Sequence, residues 1–186
     1  MRRQTIPPWE SEGRDAVGRL RQALGVLLEQ ERNVDAGTVE NEQLLETLES
    51  VNRTKGSVFQ WWQEWQVGTD SAKTSRAVVL SVYRGCLPPL LDSVDIYSQS
   101  LALSAIAPDL DAGDGDLAGQ GVRAAKNVSS FALQFLDDTP ALRPVDRAAV
   151  DATLAGLETR SRVMLALVEP IGRRLRELRR EGGYGL

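Results

Sequence analysis

Residues 150–178 read VDATLAGLETRSRVMLALVEPIGRRLREL, and the spacing of their apolar side chains decides the fold. Val150, Leu154, Leu157, Met164, Val168, Ile171, Leu175 and Leu178 step by four and three, with Ser161 the one polar member of the series. A four–three step held over this length puts one stripe along a helix, and that stripe must be covered by other helices. A second stretch repeats the pattern through Leu44, Leu48, Val51, Lys55, Val58, Trp62 and Trp65. Glu42, Glu46 and Glu49 fall on the opposite, solvated face. Beyond Lys55-Gly56, Phe59 and Trp61 widen the apolar arc, which calls for more than one neighbour.

The rest of the chain reads as helices between breakers. The first helix spans 11–32, with Val17, Leu20, Leu24, Leu27 and Leu28 inward, and the second spans 39–67. The third region, 72–107, contains Leu87-Pro88-Pro89, where two missing amide donors predict a kink or two shorter helices. Residues 108–116 read as an acidic, glycine-containing loop. The fourth helix covers 117–137, and the last starts near Pro144, bends at Pro170 and stops at Gly182-Gly183. No strand signal occurs. The expected fold is all-α: an elongated helical bundle of five to six helices with long, coiled-coil-like second and last helices. Residues 1–10, containing Pro7-Pro8, are expected as an extended arm, 11–181 as a single helical-bundle domain, and 182–186 as a flexible tail.

Composition narrows the chemistry. Apolar residues make up 42 % and charged residues 26 % of the 186, as in a globular chain. There is no histidine, which removes histidine acid–base catalysis, Ser-His and Cys-His pairs and histidine metal sites. The single cysteine, Cys86, cannot close an internal disulfide or build a zinc site and reads as a buried, inert thiol. Net charge is −4, which argues against a general binder of nucleic acid or anionic membranes. No run of eighteen apolar residues and no secretory leader is seen, so a cytoplasmic protein without a membrane partner is expected.

Three stretches invite a functional reading. Asp109, Asp111, Asp114 and Asp116 offer carboxylates to a hard cation but miss the calcium-loop spacing, and a solvated loop is the simpler reading. Trp61, Trp62 and Trp65 are the candidate recognition residues, with Trp62 and Trp65 on the seam, Trp61 off it, and Lys55 a polar register-setter at an interface. Arg173, Arg174, Arg176, Arg179 and Arg180 offset a helix C-terminus, or contact phosphate. No catalytic, cofactor or metal residue is assigned and no cofactor is expected. The expectation is a non-enzymatic interaction or scaffolding protein, a homodimer through helix–helix association, with a protein partner possible. The alternatives are a DNA-binding protein using the arginine-rich helix and a sensor with an apolar inter-helix pocket near Phe59, Trp62 and Trp65.

Overall fold

The computed structural model describes residues 6–69, 76–106 and 112–182. Among them the chain is all-α, without strands, in the order α1 (Pro8–Asp35), α2 (Asn41–Thr69), α3 (Ala77–Ile106), α4 (Ala112–Asp138), α5 (Arg147–Leu165) and α6 (Val168–Gly182). Two 3₁₀ turns, Thr139–Ala141 and Pro144–Asp146, lead from α4 into α5.

The centre is α3, which packs against every other helix. Its composition explains why: Val79, Val82, Leu87, Leu90, Val94, Leu101 and Leu103 spread around most of its circumference, so the helix needs cover on several sides. It is long and apolar enough to cross a membrane by length and composition alone, and 61 % of its most apolar window is buried by its neighbours. Ion pairs set the directions. Glu10–Arg76 holds α1 parallel to α3, whereas Lys55–Asp95 holds α2 antiparallel. The α4 helix runs antiparallel to α1 through Arg21–Asp137 and Lys126–Glu31. Arg147 meets Ser81 and Leu154 lies on Gly85, so α5 again runs parallel to α3.

The two heptad-spaced stripes find most of their cover inside the chain, though Leu154 is half-buried and Val168, at the turn between α5 and α6, is 41 % exposed. Leu44, Leu48, Val51, Val58, Trp62 and Trp65 are buried, and α2 packs on α1 and α3. Val150, Leu157, Ser161, Met164, Ile171, Leu175 and Leu178 are buried against α3 and α4. The chain therefore does not need a second copy to cover either stripe, which was the sequence argument for a dimer.

Several boundaries differ from the sequence reading. The first helix starts at Pro8, because proline in the first turn forgoes only a donor that has no helical partner there. The α4 helix starts at Ala112, so Asp114 and Asp116 sit in its first turns and not in a loop, where acidic side chains favour the positive helix end. Asp109 and Asp111 lie outside the described residues. The third helix runs unbroken through Pro88-Pro89. The expected long last helix is instead two: α5 ends at Leu165, Ala166-Leu167 turns, and Pro170 lies in the first turn of α6. A proline at 170 brings no amide hydrogen to the Ala166 carbonyl and crowds the turn before it, so the helix stops and restarts.

Candidate functional site

The neighbours of α3 follow one another around it as α2, α1, α4 and then α5 with α6, and among the described residues one side, between α2 and α5, stays open. Along that side Ser81, Arg84, Gly85, Pro88, Pro89, Asp92, Asp95 and Gln99 form a stripe of half-buried residues. The spacing is three and four, so these residues share one face. A groove of about 550 Å³ lies against it, floored by Gly85 and Pro89 and walled by Asp151, Leu154, Ala155, Glu158, Ser161, Arg162 and Leu165 of α5. Leu165 is 43 % exposed there. On the α2 side, Lys55 reaches Asp95 of α3 and Ser57 bonds Arg19 of α1. Phe59, 46 % exposed, lies on the flank of α2 away from α1 and faces the same open side.

The floor has unusual backbone chemistry. In a regular helix the Gly85 carbonyl accepts the amide hydrogen of residue 89, but Pro89 has none. Gly85 also has no side chain to cover that carbonyl, and a Cβ there would fall inside Leu154. One turn on, the carboxyl of Asp92 is pushed above its ordinary range by burial and then by Asp95, with Lys55 acting the other way. Asp151 and Glu158 make only exposed, one-turn ion pairs with Arg147 and Arg162. The groove thus sets the apolar Leu154, Ala155 and Leu165 beside the carboxylates of Asp151 and Glu158, the Ser161 hydroxyl and the Arg162 guanidinium.

The residues singled out from sequence are dispersed. Trp62 and Trp65 are each 4 % exposed and stack with centroids 5.2 Å apart, so they are core. Trp61 is half-buried and leans on Trp65 at 5.6 Å. Lys55 pairs with Asp95 at 2.6 Å and sets the register of α2 on α3 within the chain. Trp62 and Trp65 line neither the groove nor a smaller cleft of about 310 Å³ between α4 and α5. Of the arginines, Arg174 turns inward, its Nε 2.8 Å from a carboxylate oxygen of buried Asp114 and its Nη1 3.2 Å from Glu177. Those contacts raise the pKa of the Arg174 guanidinium. Arg173 and Arg176 share Glu169, and Arg179 and Arg180 are exposed with no ion pair among the described residues.

The sequence reading passed over a buried charge cluster at the start of α1. Glu10 is 1 % exposed and accepts from Arg14 at 2.9 Å and from Nε and Nη2 of Arg76 at 2.7 and 2.9 Å. Trp65 Nε1 donates to the Trp9 carbonyl at 3.0 Å, and Trp9 and Tyr83 meet edge to face. Tyr83 has its pKa raised chiefly by burial, opposed by its hydrogen bond with Arg14. A proline at the first helical position followed by an acid in the first turn was the local signal for a helix start here. A second polar link joins Tyr97, whose hydroxyl donates to Glu31, and Lys126 of α4. Burial, followed by that hydrogen bond, raises the Tyr97 pKa. Cys86 is fully buried and its thiol is pushed up to about 12 by that burial. Among the described residues no three His, Cys, Asp or Glu side chains are placed to hold a metal.

No protein-family model, curated protein or solved structure matches the chain.

Proposed function

We propose that this is a non-enzymatic helical interaction protein whose recognition surface is the open side of α3, and that its partner there is a second copy of the chain. The observation that carries the reading is the outer face of α5. Ala155, Glu158, Arg162 and Leu165 line the groove on one helix face, with the Glu158 and Arg162 side chains 65 % and 71 % exposed. Opposite charges four residues apart are self-complementary when two such helices meet antiparallel about a two-fold axis. Glu158 of each copy then faces Arg162 of the other, and the small Ala155 faces Leu165. The contact covers the exposed apolar surface of Leu165 and closes the open side of α3.

This keeps the homodimer expected from sequence but moves its interface. The heptad-spaced stripes serve the interior, and association falls to the face they leave outside. We also read α2 as a coiled-coil-like member of an elongated bundle, supported by its four–three burial from Leu44 to Thr69.

Sedimentation equilibrium across a concentration series tests the proposal. A concentration-dependent dimer is expected, converted to monomer by Arg162→Glu and restored by Arg162→Glu with Glu158→Arg, since the charge swap preserves the self-complementary pair. A protein that stays monomeric at several hundred micromolar, or an Arg162→Glu variant that dimerises as before, overturns it.

A further inference from the structure

We propose that the groove between α3 and α5 binds an amphipathic primary amine, with its ammonium group on the Gly85 carbonyl and its apolar body along Leu154, Ala155 and Leu165. The proposal goes beyond self-association and rests on a different observation, the backbone at Gly85 and Pro89.

Four features converge. Pro89 withholds the amide hydrogen that would occupy the Gly85 carbonyl, and both residues line the groove. An unused helical carbonyl retains its acceptor lone pairs, and a half-buried acceptor gains most from a charged donor. The facing wall supplies Asp151 and Glu158, whose present pairings are exposed and weak. Leu154, Ala155 and Leu165 give the rest of the lining an apolar strip beside Ser161 and Arg162, and about 550 Å³ is the size of a small-molecule cleft. An anion is disfavoured by the same acceptors. A fully apolar ligand leaves the carbonyl without a donor, which costs affinity relative to an ammonium. Arg162 also lines the groove, and the two carboxylates of Asp151 and Glu158 outweigh its single positive charge.

The test is calorimetric titration of octylammonium, octanol and octanoate into the full chain, at a protein concentration where sedimentation shows monomer. That condition separates failure of this proposal from failure of the dimer. Octylammonium is expected to bind at least tenfold more tightly than octanol, with octanoate weakest. Pro89→Ala restores an amide donor to the Gly85 carbonyl and should remove most of the preference for octylammonium, while octanol, whose hydroxyl makes only a neutral hydrogen bond there, weakens less. That variant gains a helical hydrogen bond, so loss of binding is not loss of fold, and circular dichroism confirms this. Glu158→Gln should reduce the preference for the ammonium in part. Equal binding of octylammonium and octanol, an unchanged preference in Pro89→Ala, or no binding of octylammonium overturns the assignment.

Discussion

Two prolines run through the middle of α3 without interrupting it, while one proline near the end of the chain separates α5 from α6. By local rules the outcome should be the reverse, since each interior proline costs a helix a hydrogen bond and a steric conflict of about 3 kcal/mol. What differs is the surroundings. Around Pro88-Pro89, Leu87, Leu90, Leu91 and Val94 are buried in contact with helices on several sides. Around Pro170, Leu165, Ala166, Val168 and Glu169 are exposed. Burial of one such leucine is worth about 2 kcal/mol, so a packed segment can hold two prolines in a helix, whereas an exposed one yields at the first.

The largest expected effect comes from removing that packing. Leu90→Ala, beside the prolines, should cost about 2–5 kcal/mol in urea unfolding, while Val168→Ala at the α5–α6 junction should stay within about 0.5 kcal/mol. Similar costs at both places would break the comparison. Next is Gly85→Ala, whose new methyl would collide with Leu154. It should cost about 1–3 kcal/mol, and Leu154→Ala in the same chain should recover part of that as a coupling energy. The prolines themselves come third. Pro89→Ala should stabilise by about 1–2 kcal/mol through a restored hydrogen bond, and Pro170→Ala by less than about 0.5 kcal/mol, because around it the chain is exposed and a bond regained by the Ala166 carbonyl only replaces one to water. If Pro170→Ala were the more stabilising, the break would be an enforced strain and not a tolerated restart.

The smallest effect is the pH dependence of Asp92. Its pKa in the folded chain lies above the ordinary 3.8, so the native state binds the proton more tightly than the unfolded state. Its contribution to stability therefore falls as pH rises from about the ordinary value through the folded value. Asp92→Asn should be more stable than the parent at pH 7, and the difference should shrink on acidification and vanish below about pH 3. A gain that persists at the lowest pH would mean that charge at Asp92 is not its origin.

The all-helical class was legible because the signals are local. Four–three spacing at Leu44–Trp65 and Val150–Leu178 is a property of neighbouring residues, and most of these residues are buried in the fold, Lys55 and Leu154 being half-buried and Val168 exposed. Trp62 and Trp65 lie on that seam but were read with Trp61 as candidate recognition residues; the fold buries the two and leaves Trp61 half-buried at the edge. The groove was not legible, because it is a place where a helix is missing. Gly85, Pro89 and Asp151–Leu165 become one surface only when α5 lies parallel to α3 and, among the described residues, no helix fills the gap beside α2.

By itself the sequence determined the all-helical class, the apolar face of most helices, and the absence of histidine, while the starts of α1 and α4 and the break between α5 and α6 lay beyond it. Hydrophobic periodicity and composition need no knowledge of distant residues. The tertiary structure alone decided whether an interior proline bends, breaks or merely weakens its helix. It also decided which charges are buried. Glu10 reads as part of an arm and Asp114 as part of a loop until Arg76, 66 positions away, and Arg174, 60 positions away, close on them. The reason is energetic: local propensities differ by about 1 kcal/mol per residue, and several buried contacts made across the chain outweigh them.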